Sequence, residues 1–162
     1  MESHAKLLGH PIHQMLIVFP LGLLATSNIF DAIAAATDNE KWSETGHYMM
    51  GAGVVSGLTA AVPGLIDFLA IPEDTRAKRI GLVHGVGNVA VTGLYAASWL
   101  LRRDDPRTPS RAAIGLAAAG GALALFTGWL GGELVDRLGV GVSDDAHLNA
   151  PNSLRREREI AA

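Results

Sequence analysis

Histidines and a few carboxylates, set in a chain without cysteine, are the side chains here that could do chemistry. His10 and His13 bracket Pro11 in the run Gly-His-Pro-Ile-His. His84 is followed one helical turn later by Asn88, Asp67 follows Pro63-Gly64, and Glu133 and Asp136 close the last apolar run. Neutral imidazole is the commonest metal ligand and an axial ligand of haem iron. Imidazoles joined by carboxylates suit zinc, iron or manganese. The lack of cysteine excludes disulfides, clusters held by thiolates and cysteine nucleophiles. No serine falls at one depth with both a histidine and a carboxylate, so a hydrolase has little support. The net charge of −3 offers no basic field for nucleic acid.

The elements that position these groups are apolar spans. Hydrophobic residues make up 49% of the chain and charged residues 18%, and the apolar ones are blocked rather than scattered. A helix of about 20 apolar residues crosses a bilayer core. Four runs qualify: Gln14 to Ala36, Thr45 to Ile71, Ile80 to Leu101 and Ala112 to Leu130. Lipid offers the backbone no hydrogen-bond partner, so each must be helical. The predicted fold is an all-α integral membrane four-helix bundle over residues 1–142, with a polar, mobile tail over 143–162. Met1 to Gly9 lacks the basic start and cleavage site of a signal peptide, so the first span is expected to be retained.

Four spans place both termini and the Pro72–Arg79 loop on one side, here side A, and the other two loops on side B. Near the membrane, side A carries Lys6, Arg76, Lys78, Arg79 and Arg137; side B carries Lys41, Arg102, Arg103, Arg107 and Arg111. This is a tie by the positive-inside rule, and the tail arginines tip side A to the cytoplasm. Trp42, Trp99 and Trp129 lie near span ends and read as interfacial anchors.

Depth sorts the polar groups. His10, His13, Asp67, His84, Asn88 and Glu133 fall near side A, and Asp31 and His47 near side B. Ionisable residues in a span are costly and usually face the bundle interior, so the side A group is the candidate site. His13 and Asp31 share a helix face about 27 Å apart. The same residues have plainer uses. His10 and His13 suit an interfacial cap, Asn88 a helix–helix hydrogen bond, Asp67 the backbone groups freed at Pro63, and Asp31 with His47 a surface ion pair. His47 and Asp67 fall on opposite faces of an ideal helix and do not share a site.

The first and third spans look duplicated. His13 is followed nine residues on by Gly22-Leu-Leu-Ala-Thr-Ser27, and His84 by Gly93-Leu-Tyr-Ala-Ala-Ser98. A weaker match pairs Thr59 and Gly64 with Thr127 and Gly132. A 2+2 parallel repeat about an axis along the membrane normal places His13 and His84 in equivalent positions. The glycine pairs Gly53/Gly57, Gly81/Gly85 and Gly128/Gly132 read as packing positions between helices.

The opening Gly9-His10-Pro11-Ile12-His13 with Pro20-Leu-Gly22 and Asp31 resembles the bacterial membrane family known as domain of unknown function 2231. The resemblance continues through His47, Gly64-Leu-Ile-Asp67, His84 with Asn88, and Gly131-Gly-Glu-Leu-Val135 with Gly139-Val-Gly-Val142. It implies a bacterial inner-membrane protein of no settled activity. Some relatives carry a Rieske-type domain, which implies electron transfer nearby. No such domain is expected in this sequence, which has no cysteine to hold the cluster.

The functional expectations are three. The first is a b-type haem or redox-metal protein, with His13 and His84 as axial ligands. In it Gly81, Gly85 and Gly87 give room, and Asp67 or Asn88 orients an imidazole. The second is a divalent transition-metal site built from His10, His13, His84, Asp67 and Glu133. The third is a non-catalytic scaffold or interaction subunit. The expected partners are the lipid bilayer, a redox protein or a quinone, and further copies of the chain.

Overall fold

The computed structural model describes residues 1–154. After a two-stranded hairpin of β1 (Lys6–Leu7) and β2 (His10–Pro11) come α1 (Ile12–Leu16), α2 (Val18–Thr37), α3 (Lys41–Ala70), α4 (Arg76–Leu101) and α5 (Arg111–Gly132). A π-helical turn, Glu133–Arg137, follows α5. α1 and α2 form one span, so four helical spans are long and apolar enough to cross a membrane.

Local chemistry sets the ends. Thr75 accepts from the Lys78 N–H at 3.0 Å and Ser110 from the Ala113 N–H at 3.2 Å, each capping the helix it precedes. Asp38 ends α2 in the left-handed region (φ 52°). Ile71, held extended by Pro72, ends α3. The helices outrun the apolar runs at several ends, because polar residues such as Lys41 and Arg76 to Arg79 continue the hydrogen-bonded spiral beyond the hydrocarbon.

The packing is that of a membrane bundle. Large apolar side chains such as Val55, Leu58, Leu69, Val89 and Leu125 point outward. The interior holds a cluster of Leu24, Met50, Val91, Tyr95 and Ala117, together with buried Ser27, Ser98, Thr127, Asp31 and Arg102. The span α1–α2 packs closely on α3, and α4 on α5; the two hairpins touch each other less extensively.

The duplication is visible in the contacts. A Cβ on Gly53 would meet Leu24 and Leu23, and a Cβ on Gly120 would meet Tyr95 and Leu94. A Cβ on Gly64 would meet the His13 ring, and one on Gly131 the His84 ring. Each pair maps onto the other by a shift of 71 in the first and third spans and 67 in the second and fourth. The second register corrects the expected one by a residue. Ala60, not Thr59, matches Thr127, and Gly64 matches Gly131, not Gly132. Thr59 looks like Thr127 in type, but it faces outward and bonds its own helix at Val55.

Candidate functional site

The His13 Nδ1 lies 2.8 Å from the Ala60 carbonyl oxygen on α3. The His84 Nδ1 lies 2.9 Å from the Thr127 carbonyl oxygen on α5. A carbonyl only accepts, so both nitrogens carry the proton and both rings keep an Nε2 lone pair. Each imidazole thus bridges the two helices of its own hairpin, seated where a glycine leaves space for it: Gly64 under His13, Gly131 beside His84. Pro63 helps in the first hairpin. It gives no N–H to the carbonyl of Thr59, the residue before Ala60.

Asn88 completes the second half. It accepts from Thr127 Oγ1 at 3.1 Å, and its amide donates to the His84 carbonyl at 2.9 Å. The same amide nitrogen is 3.2 Å from Nε2 and 3.4 Å from Nδ1 of His84. In the ring plane such near-equidistance would drive it into Cε1, so it lies over the ring face and the in-plane Nε2 lone pair stays available.

The other side A residues do not join them. Asp67 is buried beneath the N-terminal segment. It accepts from Ser3 Oγ at 2.8 Å and from the backbone N–H groups of His4 and Ala5 at 2.7 and 3.3 Å. It therefore serves the N-terminal segment rather than backbone freed at Pro63. Glu133 pairs with Arg76 at 2.6 Å, tying the start of α4 to the end of α5. His10 is exposed and meets Ser153 at 3.2 Å. Among the described residues no three His, Asp or Glu side chains converge as a group able to hold a metal ion. Of the three expected porphyrin-spacing glycines, Gly81 is packed against Phe68 and Ile71, and Gly87 against Thr127; only Gly85 faces open space.

Side B also departs from expectation. Asp31 does not pair with His47. It receives both terminal nitrogens of Arg102, at 2.7 and 2.8 Å, and the Arg102 Nε donates to Ser98 Oγ at 3.2 Å. Ser98 in turn donates to the Ala113 carbonyl at 2.6 Å. Arg102, expected at the surface, is 0% exposed. His47 instead stacks on Trp99, with ring centroids 5.7 Å apart and planes 12° apart. Trp99 is therefore an interhelical packing residue, whereas Trp129 is outward-facing as expected. Asn28, not singled out by the sequence, donates to Tyr95 Oη at 2.8 Å and to the Ala117 carbonyl at 3.3 Å, joining the hairpins near mid-bundle. It reaches that carbonyl only because Gly121 has no side chain.

The family model described as a predicted membrane protein, DUF2231, matches residues 9–144, which take in all four spans. The chain belongs to this family. The match includes His10, His13, Asp67, His84, Asn88, Glu133 and the Asp31–Arg102 pair, and leaves out the first eight residues. Asp67 is thus inside the DUF2231 region, while its partner Ser3 is outside it. No curated protein and no solved structure matches the chain.

Proposed function

We propose that this DUF2231 protein is an electron-transfer subunit of the bacterial inner membrane in which His13 and His84 hold a b-type haem iron between the hairpins. The observation that carries this reading is the matched pair of Nδ1–H to carbonyl bonds. A metal-binding histidine usually donates its other ring N–H to a carbonyl or carboxylate, which fixes the tautomer and makes the ligating nitrogen more basic. Here both imidazoles meet that condition, at equivalent positions of the repeat. Neutral imidazole pairs are established haem ligands within helical bundles. A bound haem would supply one-electron chemistry, while His13 and His84 would hold it and Asn88 would steady the His84 ring.

The space a porphyrin needs would come from the looser seam between the hairpins, since Gly81 and Gly87 are already filled. A mononuclear site using Asp67 and Glu133 is less favoured, because both carboxylates are already bonded elsewhere. Side A is proposed to face the cytoplasm. With Arg102 buried, four exposed cations remain near each side, and the C-terminal Arg155, Arg156 and Arg158 add to side A. Reduced-minus-oxidised spectra of membranes carrying the protein test the haem reading. A low-spin haem b signal absent from the His84→Ala membranes is expected. No signal in the parent would leave the histidines as helix cross-links.

A further inference from the structure

His47 lies outside the His13–His84 site and has an unexplained feature. Its side chain is buried, and its Nδ1 has no hydrogen-bond partner. It is the sole buried side-chain nitrogen or oxygen in that state among the described residues. A sealed N–H costs more than a sealed lone pair, since orphaned buried donors are the rarer defect in proteins. The ring proton therefore sits on Nε2, the atom not sealed by packing.

His47 and Trp99 together form one end of an open groove of about 700 Å³. Its walls run along α3 from His47 to Thr59, about 18 Å of helix axis. Phe19 and Leu16 of the first span face it, and nearly all of the lining is apolar. The Trp99 indole nitrogen is pressed against Gly51, where any side chain would collide with it. Neither the indole N–H nor Nε2 of His47 has a bond to another described residue. A concave apolar surface with a few unpaired polar groups at one end is the usual form of a ligand site.

We propose that this groove binds a lipid-soluble quinone, its carbonyl accepting from His47 Nε2–H and its tail lying along α3 toward Thr59. Charge decides against a phospholipid headgroup. No Lys or Arg lines the groove, and Arg102, three residues past Trp99, is buried and takes both Asp31 oxygens. What remains is a pair of neutral N–H donors, which match a neutral carbonyl. Flat ring systems already stack here, His47 on Trp99, so a planar head suits the site. The proposal does not depend on a haem at His13 and His84.

The test uses the full chain in phospholipid nanodiscs with Trp42→Phe and Trp129→Phe, leaving Trp99 as the fluorophore. Titration with decyl-benzoquinone should quench it saturably at one site per chain. His47→Phe keeps a flat ring and removes the donor, and should weaken binding about tenfold, the loss of one good hydrogen bond. Decylbenzene, with the same tail and no carbonyl, should not compete. Unsaturable quenching, or equal competition by decylbenzene, would overturn the proposal by showing a lipid-filled groove. So would unchanged affinity in a folded His47→Phe. The competition arm needs no change at His47 and stands if His47→Phe does not assemble.

Discussion

Asp31 and Arg102, 71 residues apart, occupy equivalent positions in the two halves of the chain and join them through two parallel hydrogen bonds at 2.7 and 2.8 Å. A repeat would ordinarily place like with like at its axis. Here one half carries the acid and the other the base, so the duplicated hairpins are complementary where they meet. Both charges are buried, and a buried ion pair is sound only when each group is fully hydrogen-bonded. Ser98 supplies the third contact to Arg102.

Removing one partner leaves a bare charge in the bundle. Arg102→Leu or Asp31→Leu alone should destabilise the fold by about 3–5 kcal/mol. The double variant Asp31→Leu/Arg102→Leu should recover most of that loss. Because the positions are equivalent, the exchange Asp31→Arg/Arg102→Asp should also recover part of it. Unfolding in mixed micelles, followed by helical circular dichroism, measures all four.

The glycines beneath the imidazoles should behave as a matched but unequal pair. A Cβ at position 64 would sit 2.8 Å from the His13 ring, and one at 131 would sit 3.2 Å from the His84 ring. Gly64→Ala should therefore displace its histidine and cost about 1–3 kcal/mol, as overpacking does. Gly131→Ala should cost less. Thermal unfolding of the two variants gives the order.

Asp67 anchors the N-terminal segment over the side A end of the bundle. Asp67→Ala should free residues 1–11 while the four spans still insert. Hydrogen exchange at the His4 and Ala5 amides should rise to the rate of an open segment, and Ser3→Ala should produce a smaller rise. Unchanged protection in Asp67→Ala would mean that the segment is held by its other contacts.

Much of this architecture was legible in the residues. Blocked apolar runs predicted the four helices, and the spacing from His13 to Ser27 and from His84 to Ser98 predicted the first-and-third-span repeat. Depth grouped His13 and His84 near side A, where each ring bonds the neighbouring helix of its own hairpin. Depth did not predict which carboxylates were free, because that depends on backbone N–H groups of the N-terminal segment, which no side-chain pattern reveals. Arg102 was hidden for a related reason. It adjoins Arg103 and Asp104 in a loop-like sequence, yet it lies on the buried face that Tyr95 and Ser98 mark out. The shift of 71 from Asp31 was the available signal for its partner. His47 looked like the natural mate of Asp31 by proximity in sequence, but in the structure it turns toward Trp99.

The most direct test of the central claim is the haem content of the purified protein and three variants, read from its Soret band against protein concentration. One haem per chain is expected in the parent, none in His13→Ala or His84→Ala, and near-parent content in His47→Ala, with helical content retained throughout. Full haem in His84→Ala with loss in His47→Ala would contradict the claim, as would a colourless parent protein purified from haem-replete cells.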